Sequence, residues 1–235
     1  MKRKATILFS VALIMFLPLL CIAPKAKADE PGKNITAHVY PVELKKGDVI
    51  SDGKDGTQYK IRSDTLFIWV DLLPGAFFTH PTKYIFIRDN QNKPVKIYDG
   101  QWWPYLNGQQ ILYGSPNKTA LTSPCQLGEI LVYFYPLELK YGDVVADGHS
   151  GTEAFLYNIE GDTLLIWIDL MPALFFTHPT CYVFICGNSE EPVVVKKGGW
   201  WPYLNGQGIL HVNKNLGALI SPFKLSLSAE NPDKR

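Results

Sequence analysis

The sequence predicts a mainly β protein, sandwich- or barrel-like, made of two tandem homologous units of about 95 residues. Short apolar runs rich in β-branched and aromatic residues alternate with clusters of turn residues. Outside the N-terminal segment, no window of about twelve residues has the 3.6-residue period of an amphipathic helix. Long blocks of the chain also occur twice, which indicates a duplication.

Two repeated blocks define the units. Residues 69–82 recur as residues 167–180 with ten identities, and residues 102–109 recur unchanged as residues 200–207. The two blocks begin 33 residues apart in both copies. A repeat of this length fits an independent domain better than a solenoid repeat. The short junction at 128–129 predicts packed units, with pseudo-two-fold symmetry or as contacting domains.

The chain is predicted to have four segments. They are a signal peptide (1–28), a first β repeat unit (29–127), a second β repeat unit (128–227) and a flexible tail (228–235). The N-terminal segment has a basic start, an apolar stretch and Ala26-Lys27-Ala28, the pattern of a cleaved secretory signal. We therefore expect a secreted or periplasmic protein, and an uncleaved membrane anchor is the alternative because the apolar run is long.

The charge of the exported chain argues against two partner classes. The signal peptide holds five of the 23 basic residues and none of the 22 acidic ones, so its removal leaves 18 basic against 22 acidic residues, a net charge of −4. A mildly acidic surface does not attract nucleic acid or anionic lipid. We expect no nucleic acid partner, and no membrane partner after signal cleavage.

Strands are predicted at matching places in the two units. They cover residues 65–70, 83–88 and 94–98 in the first unit, and 163–168, 181–186 and 192–196 in the second. A short helix near Leu72 stays an alternative, because short apolar runs are ambiguous. Cys181 and Cys186 would lie on one strand roughly 16 Å apart, too far for a disulfide with each other. A disulfide would therefore have to join Cys125 to one of them.

The first candidate site pairs an aspartate with a histidine in each unit. If residues 69–82 form a hairpin that turns between Gly75 and Ala76, Asp71 lies directly opposite His80. The same hairpin in the second unit places Asp169 opposite His178. A buried hydrogen bond that holds the turn is one interpretation, and ligand or metal contact is another. Hydrolysis is a third, although no activated nucleophile accompanies the pair.

The second candidate site is the repeated segment Trp-Trp-Pro-Tyr-Leu-Asn-Gly-Gln. Its Asn-Gly pair predicts a type I′ hairpin turn. Adjacent tryptophans on a strand would point to opposite faces, so that one is buried and the other meets a partner. An aromatic ring beside Asn and Gln suits a sugar or a peptide. Structural anchoring by the same residues is the alternative.

We predict binding residues in both motifs, and no catalytic residue, metal ligand or cofactor. They are Asp71, His80, Trp102, Trp103, Tyr105, Asn107, Asp169, His178, Trp200, Trp201, Tyr203 and Asn205. The acids near Asp52 lack the spacing of a calcium loop and predict solvated turns.

Three functions from different classes remain. The first is an exported non-enzymatic binding or cell-envelope protein with two quasi-equivalent faces for a protein, peptide or glycan partner. The second is a hydrolase that uses the paired Asp and His residues. The third is a purely structural envelope protein. The sequence does not predict an oligomeric state.

Overall fold

The computed structural model describes residues 35–111, 125–148, 155–187, 190–209 and 223–225. All described residues belong to one compact unit of the chain, Pro31–Arg235. The predicted signal peptide and the predicted C-terminal tail lie outside the described residues. Within the described ranges the chain contains β-strands and no helix, so none that could cross a membrane. The helix considered near Leu72 is therefore absent.

Nine strands precede residue 128. They are β1 (Ile35–Val39), β2 (Val49–Asp52), β3 (Gln58–Lys60), β4 (Thr65–Asp71), β5 (Thr82–Arg88), β6 (Val95–Gly100), β7 (Pro104–Leu106), β8 (Gln109–Gln110) and β9 (Cys125–Leu127). Nine more follow in the described part of the second half. They are β10 (Ile130–Phe134), β11 (Val144–Asp147), β12 (Leu156–Asn158), β13 (Thr163–Asp169), β14 (Thr180–Cys186), β15 (Val193–Gly198), β16 (Pro202–Leu204), β17 (Gln207–Gly208) and β18 (Phe223–Leu225). Each strand predicted from the sequence is confirmed to within two residues at its ends.

The strands form four antiparallel sheets. The first central sheet has the order β18-β1-β4-β5-β6, and the second has the order β15-β14-β13-β10-β9. The first outer sheet is β3-β2-β7-β8, and the second outer sheet is β12-β11-β16-β17. The mainly β fold is confirmed. None of the sheets closes into a barrel, so the barrel alternative is wrong.

The two central sheets bury one face each in a shared central core. This core contains Leu66, Ile68 and Val70 of β4 together with Leu164, Ile166 and Ile168 of β13. The alternating residues of the same strands point the other way. Phe67 and Trp69 belong to a first outer core with Ile50 of the first outer sheet, while Leu165 and Trp167 belong to a second outer core with Val145 of the second outer sheet.

Burial on both faces explains the continuous apolar runs in the sequence. Successive side chains of a strand point to opposite faces, so a strand between two cores needs apolar residues at every position. β4 and β13 are buried along their full length. The side chains of these strands that face the central core are aliphatic. Those that pack in the outer cores are largely aromatic.

Hydrogen bonding also links the two halves of the sequence. β9, which ends the first half, pairs with β10 through the turn at Gly128 and Glu129. β18, near the end of the chain, pairs with β1, with Leu225 opposite Ile35. The two halves thus share the central core, and the last described strand completes the sheet that contains the first.

Each cysteine in the described ranges is a free thiol. Cys125 is half-buried, and Cys181 and Cys186 are buried on β14. Burial raises the pKa of Cys181 to about 12 and also raises the pKa of Cys125 and of Cys186. Since the thiolate is the reactive form, these thiols are poor nucleophiles at neutral pH.

We therefore expect Cys181 and Cys186 to resist alkylation by iodoacetamide at pH 8 in the folded protein and to react promptly in denaturant. Mass spectrometry of the peptides measures both rates. The contribution of protonated Cys181 to stability is complete below about pH 8.5, the ordinary thiol pKa, and declines as the pH rises toward about 12. Rapid native alkylation of Cys181, or a disulfide in the intact mass, would contradict this expectation.

Candidate functional site

The predicted hydrogen bond between Asp71 and His80 is present and buried. His80 Nε2 lies 2.9 Å from Asp71 Oδ1, and both side chains are almost fully shielded from solvent. The other ring nitrogen, Nδ1, donates to the carbonyl oxygen of Phe78 at 2.7 Å. Asp71 Oδ1 also accepts the backbone N–H of Leu73 at 2.9 Å. Both nitrogens of the imidazole are therefore occupied inside the protein.

The second half has the same arrangement. His178 Nε2 lies 2.9 Å from Asp169 Oδ1, and His178 Nδ1 donates to the carbonyl oxygen of Phe176 at 2.6 Å. The backbone N–H of Met171 donates to Asp169 Oδ1 at 2.9 Å. We call these two arrangements the Asp–His pairs.

The predicted hairpin register is wrong, although the contact is right. Asp71 is opposite Thr82 and Asp169 is opposite Thr180, so each hairpin closes through a ten-residue loop rather than a tight turn. His80 belongs to this loop and reaches back to the end of β4. We name residues 72–81 the first Phe–Phe loop and residues 170–179 the second, after the two adjacent phenylalanines in each.

The phenylalanines of these loops are exposed. Phe77 and Phe78 are 87% and 63% exposed, and Phe175 and Phe176 are 85% and 61% exposed. Leu73 is also exposed. Each Asp–His pair fixes the backbone carbonyl of the second phenylalanine, so buried polar contacts hold an exposed apolar tip in place.

An aspartate that the sequence did not single out anchors the Trp-Trp segment. Asp147 is buried at the end of β11, and its carboxylate accepts the backbone N–H groups of Gly199 and Trp200 at 2.8 and 2.9 Å. The hydroxyl of Tyr182 donates to Asp147 Oδ1 at 2.8 Å and lies 2.8 Å from the carbonyl oxygen of Trp200. Burial and the neighbouring carboxylate raise the pKa of Tyr182, which keeps its hydroxyl a donor.

Asp52 does the same in the first half. It accepts the backbone N–H groups of Gln101 and Trp102, and Tyr84 donates to it at 3.1 Å. The expectation that the acids near Asp52 form only solvated turns is therefore wrong for Asp52 itself. The identical Asp-Gly at the matching position of the second copy was the sequence feature that could have pointed to this role.

The Phe–Phe loops and the Trp-Trp segments lie side by side. The backbone N–H of His80 donates to the carbonyl oxygen of Gln101, and that of His178 donates to the carbonyl oxygen of Gly199, both at 3.0 Å. A methyl group on Gly199 would lie 3.2 Å from the side chain of Thr177. The two motifs of each copy thus form one face.

The tryptophans do not alternate across a strand as predicted. Trp102 and Trp103 lie in the bend before β7, with ring centroids 5.5 Å apart, and both are half-buried. Trp103 packs against the first outer core. Trp200 and Trp201 are placed similarly, 5.4 Å apart. The alternation fails because the strand begins only at the proline that follows.

The Asn-Gly turns are confirmed, and they occupy the asparagine side chains. Asn107 and Gly108 both have positive φ, at 51° and 82°, as a type I′ turn requires. Asn107 accepts the N–H of Val49 and donates to Asp48, both at 2.9 Å, and this contact lowers the pKa of Asp48. Asn205 makes equivalent bonds. Tyr105 and Tyr203, the remaining candidates, are half-buried.

The chain was compared with known families, proteins and structures. No protein-family model, curated protein or solved structure matches this chain.

The Asp, His and Asn side chains of these faces make internal contacts. In the described ranges, no group of three or more His, Cys, Asp or Glu side chains is placed to hold a metal ion. The imidazoles have both nitrogens occupied, and the buried carboxylates accept backbone N–H groups. The exposed surface of each face includes the side chains of its two phenylalanines.

Replacing Asp71 by Asn should lower the free energy of unfolding by about 3 kcal/mol, because a broken buried pair leaves an unmatched polar group. Denaturant unfolding measures this loss. Asp55→Asn is the control, since Asp55 is exposed in a turn, and it should change stability by less than about 0.5 kcal/mol. Equal small effects of the two variants would show that the pair does not hold the loop.

Asp147→Asn should destabilise the protein by about 2–4 kcal/mol, because an amide cannot accept from two backbone N–H groups and a phenol as a carboxylate does. Tyr182→Phe should cost about 1–2 kcal/mol by removing one donor. Thermal unfolding of both variants and of the double variant tests whether the losses are coupled. Additive losses would contradict a shared network.

Proposed function

We propose that this chain is an exported, non-enzymatic binding protein with two quasi-equivalent faces. Each face consists of a Phe–Phe loop and the neighbouring Trp-Trp segment. One observation carries the proposal: the Asp, His and Asn side chains of the repeated motifs make internal hydrogen bonds, whereas Phe77, Phe78, Phe175 and Phe176 are exposed. Exposed apolar groups beside satisfied polar ones are typical of interaction surfaces.

The hydrolase alternative is weaker. A general base needs a ring nitrogen within reach of the substrate, and both nitrogens of His80 and of His178 are bonded and buried. The nearest hydroxyl in sequence, Thr79, has no base beside it, since the neighbouring imidazole is already engaged. The purely structural alternative leaves the four exposed phenylalanines without a role.

Among the partners expected from the sequence, a glycan fits these faces least well. Sugar recognition places hydrogen-bonding groups beside an aromatic ring, but the amides of Asn107 and Asn205 are used within the turns. An apolar partner surface needs no such groups.

Two further features belong to the proposal. The repeat units are related by pseudo-two-fold symmetry, which the matching contacts at Asp71 and Asp169 support. Export follows from the N-terminal segment, so the partner lies in the cell envelope or the surroundings.

We expect residues 29–235 to sediment with an insoluble envelope fraction and to lose this binding when all four exposed phenylalanines become serine. The matched control is Val42→Ser with Leu137→Ser, which removes exposed apolar side chains outside both faces. Circular dichroism confirms that each variant is folded. Hydrolysis of ester, peptide or glycosidic substrates by the pure protein, or binding that the phenylalanine variants leave unchanged, would contradict the proposal.

A further inference from the structure

We propose that the phenylalanines of each Phe–Phe loop insert into an uncharged lipid bilayer, and that one molecule bridges two such surfaces. This inference rests on the proposed function and names the partner of its two faces. It departs from the expectation of no membrane partner, which considered only the attraction between net charge and anionic lipid.

The two loops carry no exposed charge. Residues 72–81 and 170–179 contain no Lys, Arg, Asp or Glu. Their only ionisable side chains, His80 and His178, are buried in the Asp–His pairs. No charged group of the loop itself would therefore need to be desolvated when the tip enters the apolar part of a bilayer.

The exposed tip is too small for a stable protein interface. Phe77, Phe78 and Leu73 offer roughly 300–500 Å² of apolar area, whereas a stable protein interface buries about 800 Å² on each partner. A bilayer needs no complementary surface, because its acyl chains close around whatever side chains enter. A small convex tip with two exposed phenylalanines therefore fits lipid better than a second folded surface.

The tips are held in place before they meet a partner. His80 Nδ1 fixes the carbonyl of Phe78, and the N–H of His80 is bonded to Gln101 next to the Trp-Trp segment. The second loop is fixed in the same way through His178, Phe176 and Gly199. Pre-organisation lowers the entropy lost on binding.

The two tips lie at opposite ends of the central sheets. A methyl group on Gly128 would overlap the carboxylate of Asp89, so the turn between β9 and β10 lies beside Asp89. This turn is at the end of the second central sheet where the second Phe–Phe loop begins, because Leu131 is opposite Asp169. Asp89 follows Arg88, the end of β5 that is farthest from the first Phe–Phe loop.

The separation along the sheets is therefore at least the length of β5. Seven residues of a strand span about 20 Å, and the first Phe–Phe loop lies beyond Thr82 at the far end. A second contact agrees with this placement. Burial and, to a lesser degree, the charge of Glu43 raise the pKa of Cys125 of β9. Glu43 precedes Leu44, which is bridged to Thr65 at the same end of β4 as Asp89.

Because the two Phe–Phe loops lie at opposite ends of the central sheets, they cannot increase avidity for one flat surface. Two similar sites raise avidity for a single partner only when both can reach it together. Loops at opposite ends of the packed central sheets cannot both enter one flat bilayer. They can enter two bilayers that face each other, which is the action of a tether.

The test uses residues 29–235, which include all of the described fold, and vesicles of phosphatidylcholine. Co-sedimentation measures binding, and light scattering measures vesicle clustering. We expect the wild type to bind and cluster vesicles, with little change on adding phosphatidylserine or salt. Single-loop variants, Phe77→Ser/Phe78→Ser and Phe175→Ser/Phe176→Ser, should bind without clustering. The variant with all four changes should bind about tenfold more weakly or worse, and Val42→Ser/Leu137→Ser should match the wild type.

Several results would overturn the inference. Clustering by single-loop variants would disprove bridging, and unchanged vesicle binding by the fourfold variant would disprove insertion of the phenylalanines. If the wild type does not bind vesicles but forms phenylalanine-dependent oligomers in size-exclusion chromatography, the partner is a second copy of the chain. If the phenylalanines matter for the envelope fraction but not for vesicles, the lipid partner is wrong and the proposed function stands. If they matter for neither, both fail.

Discussion

The structure depends on the burial of β4 and β13 on both faces. Their aliphatic side chains fill the central core, and their alternate, largely aromatic side chains fill the outer cores. Apolar burial is the main favourable term in folding, and these strands contribute to two cores at once. Each strand ends at a buried aspartate, Asp71 or Asp169, which holds a Phe–Phe loop. The same packing that stabilises the fold therefore fixes where the exposed phenylalanines lie.

Much of the fold was predictable from local pattern. The apolar runs, the turn residues and the Asn-Gly pairs gave the β class, the central strands and the type I′ turns, because these depend on neighbouring residues. The pairing of β18 with β1 at the edge of the first central sheet was not predictable, since it joins Ile35 to Leu225 across nearly the whole described chain. The order in which the sheets pack on each other was not predictable either. A run that is apolar at every position does not indicate which face of the strand packs against which sheet.

The candidate site was predicted in part and for partly wrong reasons. The Asp–His contact was expected from a tight turn, yet it forms because His80 folds back from a ten-residue loop. Asp52 and Asp147 were not predicted as anchors, because their partners are backbone N–H groups about fifty residues away. The exposed phenylalanines were missed because adjacent apolar residues within a predicted hairpin suggest core, and only the loop geometry places them in solvent.

Exposed apolar side chains contribute little to folding stability, because they meet water in both the folded and the unfolded chain. In this protein the exposure is maintained by specific contacts. The histidine of each Asp–His pair bonds the carbonyl of the second phenylalanine, and its backbone N–H bonds the segment before the tryptophans. A loop selected only to connect two strands could be shorter, because hairpins close with two residues. The ten-residue loops instead use a buried Asp–His hydrogen bond to present two aromatic rings, and this arrangement occurs in both halves of the chain.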